Sequence, residues 1–230
     1  MKIMTFNTQH CLNFKTRQIE FNSFAEEILS FNADIVGLNE MRGFGPLPGY
    51  TAQTDKLGRL TGMNSYFGRA ISVAGLAPYG NGLLSKYPIL SVKTVKIPDP
   101  KVKTGQEMYE TRCIICAVID AGEKYTVIIT HMGLNLDERK NAVEMLMRVA
   151  PSERCIIMGD FNCTPESEEL RPIFERFDCS DTSEYTFPSD EPRIKIDYIF
   201  TSRDIIVKDR GVSPNIVSDH RSLWIEIEEN

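Results

Sequence analysis

Asn7, Glu40, His131 and the pair Asp160 with Asn162 each follow an apolar run directly or within two or three residues of its end. Asp197 stands at the onset of another such run, and Asp219-His220 lie just ahead of the last one. Two of only three histidines and most of the run-end carboxylates thus fall in similar places. Carboxylates accompanied by an amide and imidazoles suit a hard divalent cation, Mg²⁺ or Mn²⁺. Such an ion takes oxygen ligands and is bound through one or two carboxylates plus substrate phosphate. It polarises a phosphoryl oxygen while a carboxylate activates water and imidazoles balance the developing charge. The set is equipment for phosphoester hydrolysis. The sequence holds no G-x-S-x-G elbow, Walker phosphate loop or H-E-x-x-H helix to support a competing chemistry. Taken singly, each piece also has a plainer use: Gly159 to Asn162 has turn composition, and Ser218-Asp219-His220 or Asn7 could serve local backbone bonds.

The elements that would position these residues can be read from periodicity. Strand-like runs cover residues 3–6, 34–38, 82–85, 89–97, 113–119, 125–130, 155–158, 196–200, 205–207 and 223–227. Residues 18–31 place Phe21, Phe24, Ala25, Ile28 and Leu29 at the spacing of an amphipathic helix. Ala142, Val143, Leu146, Met147 and Ala150 repeat that spacing behind Asn135 and Asp137 as candidate caps. Strands outnumber helices, which favours two packed sheets with helices outside over one doubly wound sheet. In mixed sheets the C-terminal ends of some strands share an edge with the N-terminal ends of their antiparallel neighbours, so the separate segments can meet on one polar rim.

Composition bounds the alternatives. With 42% hydrophobic and 25% charged residues over 230 positions, the chain is an ordinary globular protein, read as a single domain over 1–230. Its formal charge of -6 argues against coating long nucleic acid through bulk charge, without excluding a local basic groove. No apolar run approaches the roughly 18 residues of a membrane span, and the start turns polar too soon for a signal-peptide core. The expectation is a cytoplasmic monomer. The six cysteines then read as free thiols, with Cys113 and Cys116 in a buried strand and no partners for a zinc knuckle. Residues 98–109, polar and Pro-bounded, read as a loop of the kind that carries substrate choice.

Six motifs in sequence carry a resemblance. Thr5-Phe6-Asn7, Asp34-Ile35-Val36-Gly37-Leu38-Asn39-Glu40, Thr130-His131, Gly159-Asp160-Phe161-Asn162, Ile196-Asp197-Tyr198-Ile199-Phe200 and Ser218-Asp219-His220 resemble, in order, the endonuclease/exonuclease/phosphatase superfamily. The resemblance implies an α/β fold: a four-layered α/β sandwich, two mixed β-sheets packed face to face with helices outside. It implies Glu40 as the principal metal carboxylate, Asn7 beside it, and Asp219 on the metal side or just behind. Asp160 would orient or deprotonate water, Asn162 would hold a phosphoryl oxygen, and His220, fixed by Asp197, would contact the scissile phosphate. His131 matches the histidine of the deoxyribonuclease, sphingomyelinase and deadenylase branches, as phosphate ligand or general acid, and ranks abasic-site repair lower. Arg112 matches a recurring phosphate-neutralising arginine, and His10 stands close enough to Asn7 to line the site as a second substrate-binding candidate. Two departures touch subfamily and leave the chemistry alone: Asn39 where most members have Gln, and Ser222 where Pro often follows. The expected activity is Mg²⁺- or Mn²⁺-dependent phosphoester hydrolysis on a phosphorylated small molecule or a nucleic acid. A catalytically idle binding relative is the alternative of a different class.

Overall fold

The computed structural model describes residues 1–179 and 183–228, in which two mixed sheets of six strands lie between helices. The first sheet uses β1 (Lys2–Asn7), β2 (Ile35–Arg42), β3 (Asn64–Val73), β4 (Ala77–Ser85), β11 (Val207–Val212) and β12 (Leu223–Ile227), in the order β11-β12-β1-β2-β4-β3. The second uses β5 (Ile89–Lys96), β6 (Cys113–Asp120), β7 (Lys124–His131), β8 (Cys155–Asp160), β9 (Asp178–Cys179) and β10 (Asp197–Thr201), in the order β5-β6-β7-β8-β10-β9. Helices α1 (Phe21–Ser30) and α2 (Gln53–Thr61) flank the first sheet, and α3 (Leu136–Val149) and α4 (Arg171–Arg176) the second.

Successive strand side chains point to opposite faces, so each strand divides its residues between two cores. Ile3, Ile35, Leu83 and Ile225 meet Ile115, Val127, Ile129, Ile156, Met158 and Ile199 in the layer between the sheets. The intervening Met4, Phe6, Val36 and Leu38 pack instead on Phe24, Ile28 and Leu57 of α1 and α2. Ile114, Ile128, Ile157 and Phe200 likewise pack on Val143, Leu146 and Ile173 of α3 and α4. The same parity places the chemistry. Asn7 is in phase with Ile3, Asn39 with Ile35, His131 with Ile129, Asp160 with Met158, and Asp197 with Ile199. At one end of the inter-sheet layer, then, the inward-pointing positions change from apolar to polar.

Topology brings these ends together. β1 and β2 run parallel with Asn7 opposite Asn39, and β7 and β8 run parallel with His131 opposite Asp160. A parallel pair needs a crossover, and α1 and α3 supply the two. β10 enters antiparallel, which sets Asp197 opposite Asp160. The α3 crossover starts as its sequence suggests: Glu138 accepts hydrogen bonds from the backbone N (3.2 Å) and Nδ2 (2.7 Å) of Asn135.

Some elements differ from expectation. The helix of 18–31 begins only at Phe21, because residues 12–19 close on themselves through a Leu12–Ile19 bridge. The strand at 205–207 shifts to Val207–Val212, an edge whose Lys208, Asp209 and Arg210 are exposed, and the strand at 82–85 starts earlier, at Ala77. α2, β3, β9 and α4 carry too few regularly spaced apolar residues to announce themselves. All six cysteines are free; Cys113 is buried as expected, whereas Cys116 is only half-buried, facing the outer side of its sheet. Among the described residues no helix is long and apolar enough to cross a membrane.

Gly159, just before Asp160, has φ +143, and a Cβ there would lie 1.8 Å from the Thr130 carbonyl oxygen of β7. Only glycine allows β8 this close approach. Gly159→Ala is expected to cost at least about 3 kcal/mol, in the range of overpacked or strained core changes. Urea unfolding followed by circular dichroism checks this, and an unchanged midpoint would show that β7 and β8 can slide apart without loss.

Candidate active site

Asp160 closes β8 at 1% exposure, and three neighbouring segments together with its own following turn direct polar atoms at its carboxylate. Asn7 Nδ2 donates to Asp160 Oδ2 at 2.9 Å, and the Asn162 backbone N donates to Oδ1 at 2.9 Å. His131 Nε2 and His220 Nε2 approach the same Oδ2 at 3.6 and 3.7 Å. Behind His220, Nδ1 meets Asp197 Oδ2 at 2.8 Å, and the Phe187 ring packs on the imidazole with centroids 4.7 Å apart. Behind His131, Nδ1 meets Arg112 Nη1 at 3.1 Å, and the same nitrogen of Arg112 pairs with Glu110 at 2.9 Å.

Beneath this cluster a buried amide spans the sheets. Asn39 Oδ1 accepts from the Asp160 backbone N at 2.9 Å, while its Nδ2 donates to Thr130 O at 2.8 Å and to Asn81 Oδ1 at 2.9 Å. Asn81 Nδ2 in turn donates to Cys113 O at 3.0 Å. Glu40 follows immediately, at φ +62, where the pairing of β2 with β4 is irregular. That left-handed residue turns its carboxylate to Asn7 Nδ2, which donates to Oε1 at 3.1 Å, and to Tyr79, whose hydroxyl donates to Oε2 at 3.0 Å.

Electrostatics divide the site. Burial opposes a charge on His220, but Asp197, Asp160 and Asp219 outweigh it and hold its pKa well above the ordinary histidine value. Burial and the Asp197 charge push the Asp160 carboxyl up, against the opposing pull of His220, Asn7 and Asn162. Burial, then Arg112 and His220, push the His131 pKa far below the ordinary histidine value. On the Glu40 side, burial pushes Asp219 up, with Glu40 adding to the rise against the pull of His220. His10 is lowered to about 4 by burial and Arg42, with Glu40 opposing.

The expected residues therefore fall into one connected rim. Asn7, Asp160, Asn162, His131, Asp197 and His220 form its centre. Glu40 joins through Asn7, and Asp219 lies within electrostatic reach of Glu40. Arg112 stands behind His131. His10 sits on the Glu40 side in a short turn at Gln9–Cys11, its carbonyl accepting from Gln53 Nε2, and its ring makes no hydrogen bond among the described residues. Asn162, at φ +50, uses one amide hydrogen on Met132 O at 2.9 Å and keeps the second. Tyr79 and Asn81 had no sequence signal beyond the in-phase spacing of Asn81 with Leu83.

A hard divalent ion suits the Glu40 side. Glu40, Asp219 and Asn7 offer oxygen donors, and the mutual repulsion of two carboxylates there is what a cation relieves. Among the described residues, Asp160, Asp197 and His220 also bring ligand-type atoms within 4.8 Å of one another. In that trio the His220 to Asp197 hydrogen bond occupies Nδ1 and Oδ2, which leaves His220 Nε2 and Asp197 Oδ1 outside that bond.

Comparison with known proteins bears on the family and the fold. The family model described as Endonuclease/Exonuclease/phosphatase family matches residues 4–119 and 124–220. A search of curated proteins returned no match. Among solved structures, an endonuclease/exonuclease/phosphatase from Beutenbergia cavernae superposes with TM-score 0.83 at 18% identity, covering 99% of this chain and 71% of that one. A mannosyl-6-phosphatase from Bacteroides thetaiotaomicron gives 0.75 at 15% identity, with 100% of both chains covered. The human Nocturnin catalytic domain with bound sulfate gives 0.70 at 18%, covering 99% of this chain and 94% of that one. At these identities the likeness is one of fold.

The His220 environment has a consequence for pH. A histidine whose folded pKa is raised contributes stability that is fully present below its unfolded value of about 6.5 and is lost as pH rises through the folded value. In the wild-type protein the His220 ring resonances should therefore not titrate across neutral pH. Asp197→Asn should bring the titration down towards neutrality. NMR of the imidazole C–H signals tests this, and identical titrations in both proteins would remove Asp197 as the cause.

Proposed function

The chain belongs to the endonuclease/exonuclease/phosphatase family, and from that premise we propose that it is a phosphoester hydrolase dependent on Mg²⁺ or Mn²⁺. The observation that carries the reading is the convergence of Asn7 Nδ2 and two imidazole Nε2 atoms on one buried oxygen of Asp160. A buried carboxylate so surrounded is suited to water activation, because its raised pKa brings it closer to the working range of a general base. Asp160 orients the attacking water and takes its proton. His220, kept cationic by Asp197, sets positive charge against the phosphoryl oxygens, and the spare amide hydrogen of Asn162 holds one of them. A divalent ion would be held by Glu40 and Asp219 with Asn7 beside them, and supplies polarisation of the phosphoryl and leaving oxygens when bound.

A small phosphorylated molecule is the favoured substrate. The net charge of -6 disfavours a long polyanion, and the shared fold of the Bacteroides mannosyl-6-phosphatase supports a small phosphate ester. The loop over 98–109 overlooks the Arg112 side and is docked on the start of α3. Tyr109 Oη donates to Asp137 at 2.7 Å, and Glu107 N donates to Asn135 Oδ1 at 3.0 Å. Its exposed Val102 and Met108 suit contacts to the non-phosphate part of a substrate. A nucleic-acid substrate is the second reading, supported by the shared fold of the endonuclease domain of the TRAS1 retrotransposon.

Turnover of a phosphomonoester and of a phosphodiester, each with Mg²⁺ or Mn²⁺, tests the reading and ranks the substrates. Activity should vanish with a chelator and return with either ion. His220→Ala should lower turnover by about two to four powers of ten, the range of general acid–base groups. Adding Asp197→Asn should cost little more, since the pair acts as one unit. Full turnover after exhaustive chelation would overturn the metal assignment, and absence of any turnover would favour a binding role.

A further inference from the structure

His131 and His220 face the same carboxylate oxygen, yet their far nitrogens meet opposite partners. His220 Nδ1 lies 2.8 Å from the Asp197 carboxylate, whereas His131 Nδ1 lies 3.1 Å from a guanidinium nitrogen of Arg112. A guanidinium has only donors and remains protonated in proteins. His131 Nδ1 must therefore accept, and the single ring proton must sit on Nε2. Nε2 is the nitrogen directed at the Asp160 carboxylate, 3.6 Å away, an orientation that favours a proton there. A second proton on Nδ1 would set N–H against N–H beside a fixed positive charge, on a ring only 5% exposed. Arg112 is itself held in place: Glu110 pairs with it at 2.9 Å, and the Glu110 backbone N donates to Glu138 in the first turn of α3 at 3.2 Å. The Arg112 backbone carbonyl accepts from Ile97 N at 2.8 Å.

We propose that Arg112 is a positioning residue that locks His131 as the neutral Nε2–H tautomer, making His131 a hydrogen-bond donor to a phosphoryl or leaving oxygen and not the proton-delivering acid. The catalytic half of this inference rests on the hydrolase reading; the tautomer does not. The two imidazoles then divide the work: the carboxylate-backed His220 carries positive charge, and the guanidinium-backed His131 carries a fixed neutral donor. Any proton needed by the leaving oxygen comes from His220 or from water, since a neutral His131 that gave up its Nε2 proton would have to become an imidazolate.

Nitrogen-resolved NMR of the imidazoles in the full chain is the direct test. In the wild-type protein His131 Nδ1 should appear as an unprotonated ring nitrogen and Nε2 as a protonated one throughout the neutral range. Arg112→Met should release that preference and mix the two tautomers, while Arg112→Lys, which keeps a cationic donor, should largely preserve it. A proton on Nδ1 in the wild type, or an unaltered pattern in Arg112→Met, would overturn the lock. Should Arg112→Met not fold, the wild-type and Arg112→Lys spectra still decide. Kinetics test the catalytic half with one ester of a poor alkoxide leaving group and one of nitrophenolate. His131→Ala should slow both by about a hundredfold, the scale of one lost oxyanion donor. His131→Gln, which keeps an amide N–H, should recover part of that loss with both. A loss confined to the poor leaving group would restore the general-acid role. A locked tautomer in a protein that turns over neither ester would overturn the hydrolase reading and leave the lock standing.

Discussion

The primary amide of Asn39 is the contact on which the rest of the rim depends. It belongs to β2 in the first sheet, but two of its three hydrogen bonds end on backbone atoms of β7 and β8 in the second. Packing alone resists sliding of two apolar sheet faces only weakly in direction, because the hydrophobic effect is non-directional. A buried amide with every bond made is directional, and leaving any one of its groups unmade costs about 1–3 kcal/mol. Asn39 therefore fixes the relative height of the sheets at the end where Asn7 and Glu40 must meet Asp160. The third bond, to Asn81, extends the same restraint through Cys113 O to the start of β6, next to Arg112.

With the sheets fixed, the site becomes a problem in buried charge. Asp160 and Asp197 are opposite one another in register, and both are almost wholly buried. Two carboxylates so placed repel strongly unless a cation or protons intervene. His220 intervenes between them, bonded to Asp197 and facing Asp160, and its charge is stabilised by the same pair. Removing one partner from such a buried arrangement costs about 3–5 kcal/mol because the other is left uncompensated. Arg112 sits too far round the rim to share that work; its Nη1 pairs with Glu110 and meets His131. The charge pattern across the rim is thus acid, histidine, acid, histidine, guanidinium, which is why the pKa values of two chemically identical side chains are pushed in opposite directions.

Much of this was legible in the sequence because period-two alternation survives to the last residue of each strand. Asn7, Asp160, Asp197 and His131 all continue the inward phase of the apolar residues before or after them, so the polar rim follows from counting. Glu40 escapes the count: it lies one residue past Asn39, and only its left-handed backbone returns it to the site. Such a bend is invisible in residue type, since glutamate seldom adopts it. Tyr79 was hidden for a different reason. It lies in the Gly-rich first half of β4, whose apolar content is too sparse to mark a strand. The Arg112 contact with His131 depends on side-chain direction across β6 and β7, which spacing along one strand does not report. α2 and β3 are half-exposed elements at the margin of the first sheet, and for β3 tertiary pairing with β4 decides the strand more than local propensity.

The two departures from the family pattern turn out to have the same physical character. Asn39, shorter than the usual Gln, reaches its partners because Asn81 stands beside it to take one donor. Ser222, in place of Pro, donates through Oγ to Glu27 Oε1 at 2.7 Å, and Asn215 Nδ2 donates to Oε2 of the same carboxylate at 2.8 Å. Glu27 lies on α1 and is only 4% exposed, so it needs those donors. A proline ring would supply no hydroxyl there. The segment that carries Asp219 and His220 is consequently tied to α1 on both sides of the motif, and the backbone of Ser222 closes the loop by accepting from Ser213 N at 2.8 Å. In each departure an uncommon residue has become a donor to a buried group, so that the change in sequence preserves the placement of the rim atoms by substituting one restraint for another.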